Sequence, residues 1–197
     1  MANVKQLKSQ DAYQLKISID HIKPAIWRRV IIESDMKLPD LHKVIQTVMG
    51  WYNSHLHAFR IDDTVYSEPD EDALSEYVDY RKVRLNAVIT NEKEKFNYDY
   101  DFSDGWEHTI VLEKIIPKDK NIKYPICIDG KRNCPPEDCG GPGGYEDLME
   151  IINDPANDRY EEMTEWLGGG YDPEEFNIDF VNESLREKDY GCLTLYD

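Results

Sequence analysis

Between Tyr13 and Ile19 apolar and polar residues alternate strictly. Tyr13, Leu15, Ile17 and Ile19 share one face and Gln14, Lys16 and Ser18 the other, the pattern of a half-buried strand. Pro24 interrupts it. Trp27 to Ile32 then predicts a second strand, and the link is short enough for antiparallel pairing. In KLPDLHKVIQTVMGW the period changes. Leu41, Val44, Ile45 and Val48 recur at i, i+3, i+4 and i+7, which predicts a helix over about 39–49 with one apolar face against the sheet. Pro39 suits its first turn, Asp40 its N-terminal dipole and Gly50 its C-terminal cap. His55 to Ile61 returns to alternation, with His55, His57, Phe59 and Ile61 on one side. Asp62 to Tyr80 is acidic and weakly periodic, a surface loop with room for one helical turn. Arg84 to Thr90 carries no decisive period.

The stretch YDYDFSDGWEH, residues 98–108, sits inside a predicted hairpin of Phe96–Ser103 and Trp106–Ile116. Phe96, Tyr98, Tyr100 and Phe102 line one face before the turn; Trp106, His108, Ile110 and Leu112 line one face after it. A two-residue Asp104-Gly105 turn sets Asp101 opposite His108 and separates the two apolar faces. A three-residue Ser103-Asp104-Gly105 loop sets Tyr100 opposite His108 and unites them, so it is the expected connection. Further on, DGKRNCPPEDCGGPGGY is too rich in glycine and proline for regular structure and predicts an ordered loop. Tyr145–Asn153, Asp158–Leu167 and Asp179–Lys188 predict three short acidic helices. Trp27, Trp51, Trp106 and Trp166 are the expected large core residues.

The whole is an α+β chain: a mostly antiparallel sheet covered by a helix on one face, with an acidic helical subdomain at the C-terminal end. Its 197 residues fit a single domain, with the sheet in about 10–125 and the loop and helices in about 126–197. Charge changes the picture of its partners. The net charge is −17, and it is uneven: residues 1–60 carry nine Lys/Arg against five Asp/Glu, the remainder fourteen against thirty-five. Such a field repels phosphate backbones, so nucleic acid is disfavoured as a partner, with Arg28 and Arg29 the local exception. No apolar run is long enough to suggest a membrane span, and the start, MANVKQLKSQ, lacks the apolar stretch of a leader. The expected location is the cytoplasm, where the four cysteines stay reduced.

Three groups of residues could carry chemistry. The first is a metal or hydrolytic centre of His55, His57 and His108 with Asp101, Asp104, Glu137 and Asp138. An H-x-H pair on a strand points two imidazoles the same way, and a nearby carboxylate could complete the ligands or act as a base. The second is Cys127, Cys134 and Cys139, spaced C-x6-C-x4-C, which is not knuckle spacing but could converge on a soft ion such as zinc. The third is PPEDCGGPGGY, where Gly140, Gly141, Gly143 and Gly144 let the backbone approach a partner and a helix begins near Tyr145. It is neither a Walker loop nor G-x-G-x-x-G, and no G-x-S-x-G elbow occurs anywhere. Each group has a bland counterpart: histidines bonded to tyrosines, thiols acting as small apolar side chains, and a loop that docks helices on the sheet.

IKPAIWRR, GWYNSHLHAF, YDYDFSDGWEH, CPPEDCGGPGGY, Asp154-Pro155, EWLGGGYDPEEF and Val181-Asn182 occur in this order. Together they resemble the plasmid pRiA4b ORF-3-like family over about Tyr13 to Leu185, with Ser103 standing where glycine is expected. The resemblance implies an α+β domain of bacteria and archaea, in part associated with plasmids or mobile elements, and it assigns no activity.

The reading these residues support is a binding or interaction module. Its surface is the groove among the histidine strand, the aromatic turn and the PPED loop. The binding residues are Asp104, Trp106, His108, Glu137, Asp138, Gly140, Gly141 and Tyr145. Zinc or another divalent ion would use His55, His57, Cys127, Cys134 or Cys139, and the partner is a protein or a small molecule. The alternative is a metal-dependent hydrolase-like enzyme.

Overall fold

A computed structural model describes residues 10–69 and 77–193. The N-terminal stretch expected to lack a leader and the middle of the expected 62–80 loop lie outside the described residues. Among the described residues, eight strands form one sheet: β1 (Asp11–Ile19), β2 (Trp27–Glu33), β3 (His57–Ile61), β4 (Thr64–Ser67), β5 (Val78–Asp79), β6 (Lys95–Tyr100), β7 (Trp106–Pro117) and β8 (Ile126–Lys131). Their spatial order is β5-β4-β3-β6-β7-β1-β2-β8. Every neighbouring pair is antiparallel except β4 with β5.

The alternation in the sequence maps directly onto the two sides of this sheet. Tyr13, Leu15, Ile17 and Ile19 of β1, Val30 and Ile32 of β2, and Ile110 and Leu112 of β7 are buried on one side. Against them lies α1 (Leu38–Met49), with Leu41, Val44, Ile45 and Val48 essentially inaccessible. Each of those four side chains contributes about 1.5–3 kcal/mol of burial before entropy is counted. The helix ends where expected. Gly50 adopts φ +89° and its N–H donates to Gln46 O at 2.8 Å, a left-handed cap that a Cβ would strain.

Two expectations change. The glycine- and proline-rich region is more regular than its composition suggests: β8 occupies its first residues, and α2 (Gly141–Ile152) starts inside GGPGGY, four residues before Tyr145. Pro142 falls in the first turn of α2, where its missing N–H costs nothing. The acidic stretch 62–80 likewise holds β4 and β5. Of the four tryptophans, Trp51 and Trp106 are in the core, Trp27 is half-buried on the open face of the sheet and Trp166 is 48% exposed. Trp27 falls on the polar side of β2, beneath Lys16 and Arg29. Trp166 ends α3 (Tyr160–Trp166), a helix that buries none of its residues.

α4 (Ile178–Ser184) closes the β8 edge. Asn182 accepts from Cys127 N–H at 2.8 Å and donates to Cys127 O at 2.9 Å, so one side chain imitates a neighbouring strand and blunts an edge that could pair with another chain. Asn182→Ala leaves both backbone groups without this partner and is expected to cost about 1–3 kcal/mol in a urea titration.

Candidate functional site

The site is built from three loops. The first precedes β3. Its backbone is gripped residue by residue: Tyr52 N–H donates to Glu137 Oε2 at 3.0 Å, Asn53 N–H to Gln46 Oε1 at 3.0 Å, and Ser54 N–H to the Tyr100 hydroxyl at 3.0 Å. The Ser54 hydroxyl donates to Glu137 Oε1 at 3.2 Å, and the Tyr100 hydroxyl makes a short bond to the same oxygen. Glu137, buried in the PPED loop, thus anchors the segment that carries His55.

The second loop joins β6 to β7 and has five residues, Asp101–Gly105, rather than three. Tyr98 pairs with His108 and Tyr100 with Trp106. The aromatic faces unite as expected, but the register lies two residues from the expected one. Asp101 is the reason. It turns left-handed at φ +51°, and its Oδ1 accepts from Ser103 N–H at 3.1 Å, Ser103 hydroxyl at 2.5 Å and Asp104 N–H at 3.3 Å. Gly105 N–H closes the loop onto Asp101 O at 2.7 Å. Aspartate tolerates this conformation because its side chain bonds the backbone two residues on. Burial pushes the Asp101 carboxyl up, but the Ser103 hydroxyl, the Asp104 and Ser103 amides and the nearby His55 outweigh it, and its pKa lies below the ordinary value.

The third loop, PPED, is fastened to the second. Asp104 Oδ2 accepts from Gly140 N–H at 3.0 Å. At Gly141, with φ +69°, a Cβ would lie 2.0 Å from Asp104 O. Trp51 Nε1–H donates to Pro135 O at 3.0 Å while its ring stacks on Tyr100, with centroids 4.9 Å apart.

The result is that His55, Asp101 and Asp138 meet. His55 Nε2 lies 3.0 Å from Asp138 Oδ1 and 3.6 Å from Asp101 Oδ2. One ligand atom from each residue falls within 4.8 Å of the others, and among the described residues this is the group of three with such spacing. With metal–ligand bonds of about 2.0–2.2 Å, adjacent donors sit about 3.0 Å apart in an octahedral shell and about 3.4 Å apart in a tetrahedral one. The two observed separations bracket those values. One imidazole and two carboxylates suit zinc, manganese or iron better than a soft ion. Asp101 spends Oδ1 on the turn and leaves Oδ2 facing His55, and the Asp138 side chain is 71% exposed, so the group opens to solvent.

The other expected site residues lie elsewhere. His55 precedes β3 rather than belonging to it, so the two-residue period does not carry from His55 to His57. His57 stacks on His42 of α1, centroids 3.4 Å apart and planes 3° from parallel. His42 was legible only as a polar position on the buried side of an amphipathic helix, four residues before the equally buried Gln46. His42 Nε2–H donates to Asn53 Oδ1 at 2.8 Å, so in the neutral ring Nδ1 accepts from the Tyr98 hydroxyl at 2.8 Å. His57 Nε2 lies 2.9 Å from the Tyr80 hydroxyl. Burial lowers the His42 pKa to about 4 and that of His57 well below its ordinary value, each worsened by a neighbouring positive or imidazole group.

His108 and Trp106 are sealed in the core behind the turn. His108 Nδ1 faces Tyr98 O at 3.1 Å, and burial lowers its pKa to about 4. Tyr145 is buried, its hydroxyl 3.2 Å from that of Tyr171. The three cysteines do not converge: no group among the described residues brings their sulfurs within 4.8 Å of one another. Cys127 and Cys134 are buried thiols and Cys139 is partly so. Burial pushes Cys127 up to about 11, Cys139 up to about 12 and Cys134 higher still, which disfavours the thiolate an ion needs. Asp104 meets Gly140 and Gly141, Glu137 holds Tyr52 and Ser54, and Asp138 meets His55.

An α+β protein with an open eight-stranded sheet and a three-loop histidine–aspartate group is the class these features define. The sequence model of the family described as "Plasmid pRiA4b ORF-3-like protein" matches residues 11–180, and the chain belongs to that family. It is 40% identical over 176 residues to "Uncharacterized protein y4hQ" of Sinorhizobium fredii (strain NBRC 101917 / NGR234), covering 88% of this chain and 90% of that one. It is also similar to the crystal structure of a protein of unknown function, MM3350, from Methanosarcina mazei Go1. That match has a TM-score of 0.79 and 37% identity and covers 86% of this chain and 96% of the other. Among the described residues, no helix is long and apolar enough to cross a membrane.

Proposed function

We propose that this protein is a binding module whose recognition surface is the three-loop concavity, organised by a divalent ion held by His55, Asp101 and Asp138. The observation that carries the reading is the approach of these three side chains, from segments far apart in sequence, to within 4.8 Å of one another. The supporting shell fits it: Asp101 is oriented by three donors, and the backbone before His55 is held by Glu137, Gln46 and Tyr100. Ions depend on such outer contacts for ligand orientation. The enzymatic alternative wants a carboxylate free to act as a base. Glu137, the buried candidate, already accepts from Tyr52, Ser54 and Tyr100, so binding is the better supported reading.

Elemental analysis of protein purified without a histidine tag, after equilibration with zinc or manganese and desalting, tests this. About one ion per chain is expected, falling about tenfold or more in His55→Ala and in Asp138→Ala. Both side chains are exposed enough for the variants to fold. Wild-type protein holding less than about a tenth of an ion per chain would remove the reading's basis.

A further inference from the structure

We propose that the cleft between α2 and α3, beside the histidine–aspartate group, receives the cationic side chains of a basic, lysine-rich peptide segment. The cleft has a volume of about 370 Å³ and is lined by, among others, Asp138, Asp147, Leu148, Ile151, Met163 and Trp166. Leu148 and Ile151 are buried at 4% and 7% exposure and supply an apolar floor, while Trp166 stands 48% exposed. Trp166 also lines a second cleft of about 420 Å³, together with Tyr52, Glu137 and Asp138. One indole therefore divides two depressions, and the Asp138 carboxylate borders both.

The chemistry of these walls selects the occupant. An aromatic face and an apolar floor suit the methylene stem of lysine, and Asp147, outside the ligand group, suits its ammonium. The basic residue lining the first cleft is Arg159, and it is turned along its own helix, 3.6 Å from Glu162 and 3.6 Å from the Met163 sulfur. Charge points the same way: beyond residue 60 the chain carries thirty-five acids against fourteen bases, a field that draws in cations and repels anions. α3 buries none of its residues, so its contribution to the core does not explain a large aromatic residue at its end. Two adjacent clefts sharing one wall match a segment with more than one cationic side chain. The inference goes beyond the ion site and does not need it, because Asp147 and Trp166 are not in the ligand group.

The test is the fluorescence anisotropy of a dye-labelled tetralysine peptide, titrated with the full-length protein in a chelator so that the ion plays no part. Saturable binding that weakens with salt is expected for the wild type, and none for labelled tetraglutamate. Trp166→Ala and Asp147→Asn are each expected to weaken binding about fivefold or more. Glu183→Gln, an equal change of charge on α4, is expected to bind like the wild type. All three positions are exposed, and circular dichroism checks that each variant is folded. No binding at low salt, or wild-type affinity in either Trp166→Ala or Asp147→Asn, overturns the proposal. The second result would mean that the acidity of the surface as a whole attracts the peptide.

Discussion

Lowering the pH from 7 to 4 is expected to remove several kcal/mol of stability. Three histidines are buried in the neutral form. His42 and His108 have folded-state pKa values lowered to about 4 from 6.5, and His57 is shifted in the same direction. Desolvation is the main cause in each case, and the stacked His42 and His57 cannot both become charged cheaply. The unfolded chain takes up these protons near pH 6.5, whereas the folded protein refuses them until about pH 4. Stability is therefore complete above pH 6.5 and falls as pH drops through that window. The difference of about 2.5 pH units amounts to roughly 3 kcal/mol for each of His42 and His108. A total of that order rivals the whole stability of many domains, about 5–15 kcal/mol. Urea midpoints at half-unit pH intervals check this. Between pH 6 and pH 5 the expected slope approaches about 1.4 kcal/mol per pH unit for each such histidine. A flat profile down to pH 4.5 would mean that the imidazoles are not held neutral.

The second large effect is expected from Gly141→Ala. The added Cβ would sit 2.0 Å from Asp104 O, a backbone atom, at a φ of +69°. Neither loop can yield without breaking the Gly140 N–H to Asp104 bond. The expected loss is about 3 kcal/mol or more, together with the ion affinity proposed for the neighbouring residues. Gly105→Ala is the internal control. It has a similar φ of +71°, but nothing lies within 4 Å of the new methyl group, so only the backbone cost of about 1 kcal/mol is expected. Denaturant titrations of the two variants separate close approach from conformational strain. Equal losses would mean that the turn and the PPED loop are not in contact.

These residues also mark how far the fold and the site could be read from sequence. Strands β1, β2, β6 and β7 and helix α1 were legible because each buries one face, and a buried face imposes its period on the sequence. The hairpin face was legible for the same reason. Its register was not, because it depends on Asp101 leaving the strand early, and that turn is held by side-chain oxygens rather than by apolar patterning. β8 and the start of α2 were hidden by glycines and prolines: Gly130 in the strand lies under Phe176, and Gly141 and Gly144 in the helix lie under backbone oxygens. Composition records such close approaches only as breakers.

For the site, Asp101 and Asp138 were legible among the candidate acids for a histidine centre. The identity of the histidines that join them was not. His57 and His108 lie in strands and belong to the core, whereas His55 continues the same alternation in the sequence but lies before β3, where it meets Asp138. The pairing of His57 with His42 has no sequence signature beyond two buried polar positions, His42 and Gln46, one helical turn apart.

The convergence of His55, Asp101 and Asp138 on one ion is tested most directly by cobalt(II) titration followed by visible absorption. The wild type is expected to develop ligand-field bands that saturate at about one equivalent and to lose them in Asp101→Asn. That substitution keeps the volume of the side chain and an oxygen for the turn while removing the charge. Bands of equal intensity and affinity in the wild type and in Asp101→Asn, or none in either, would contradict the account.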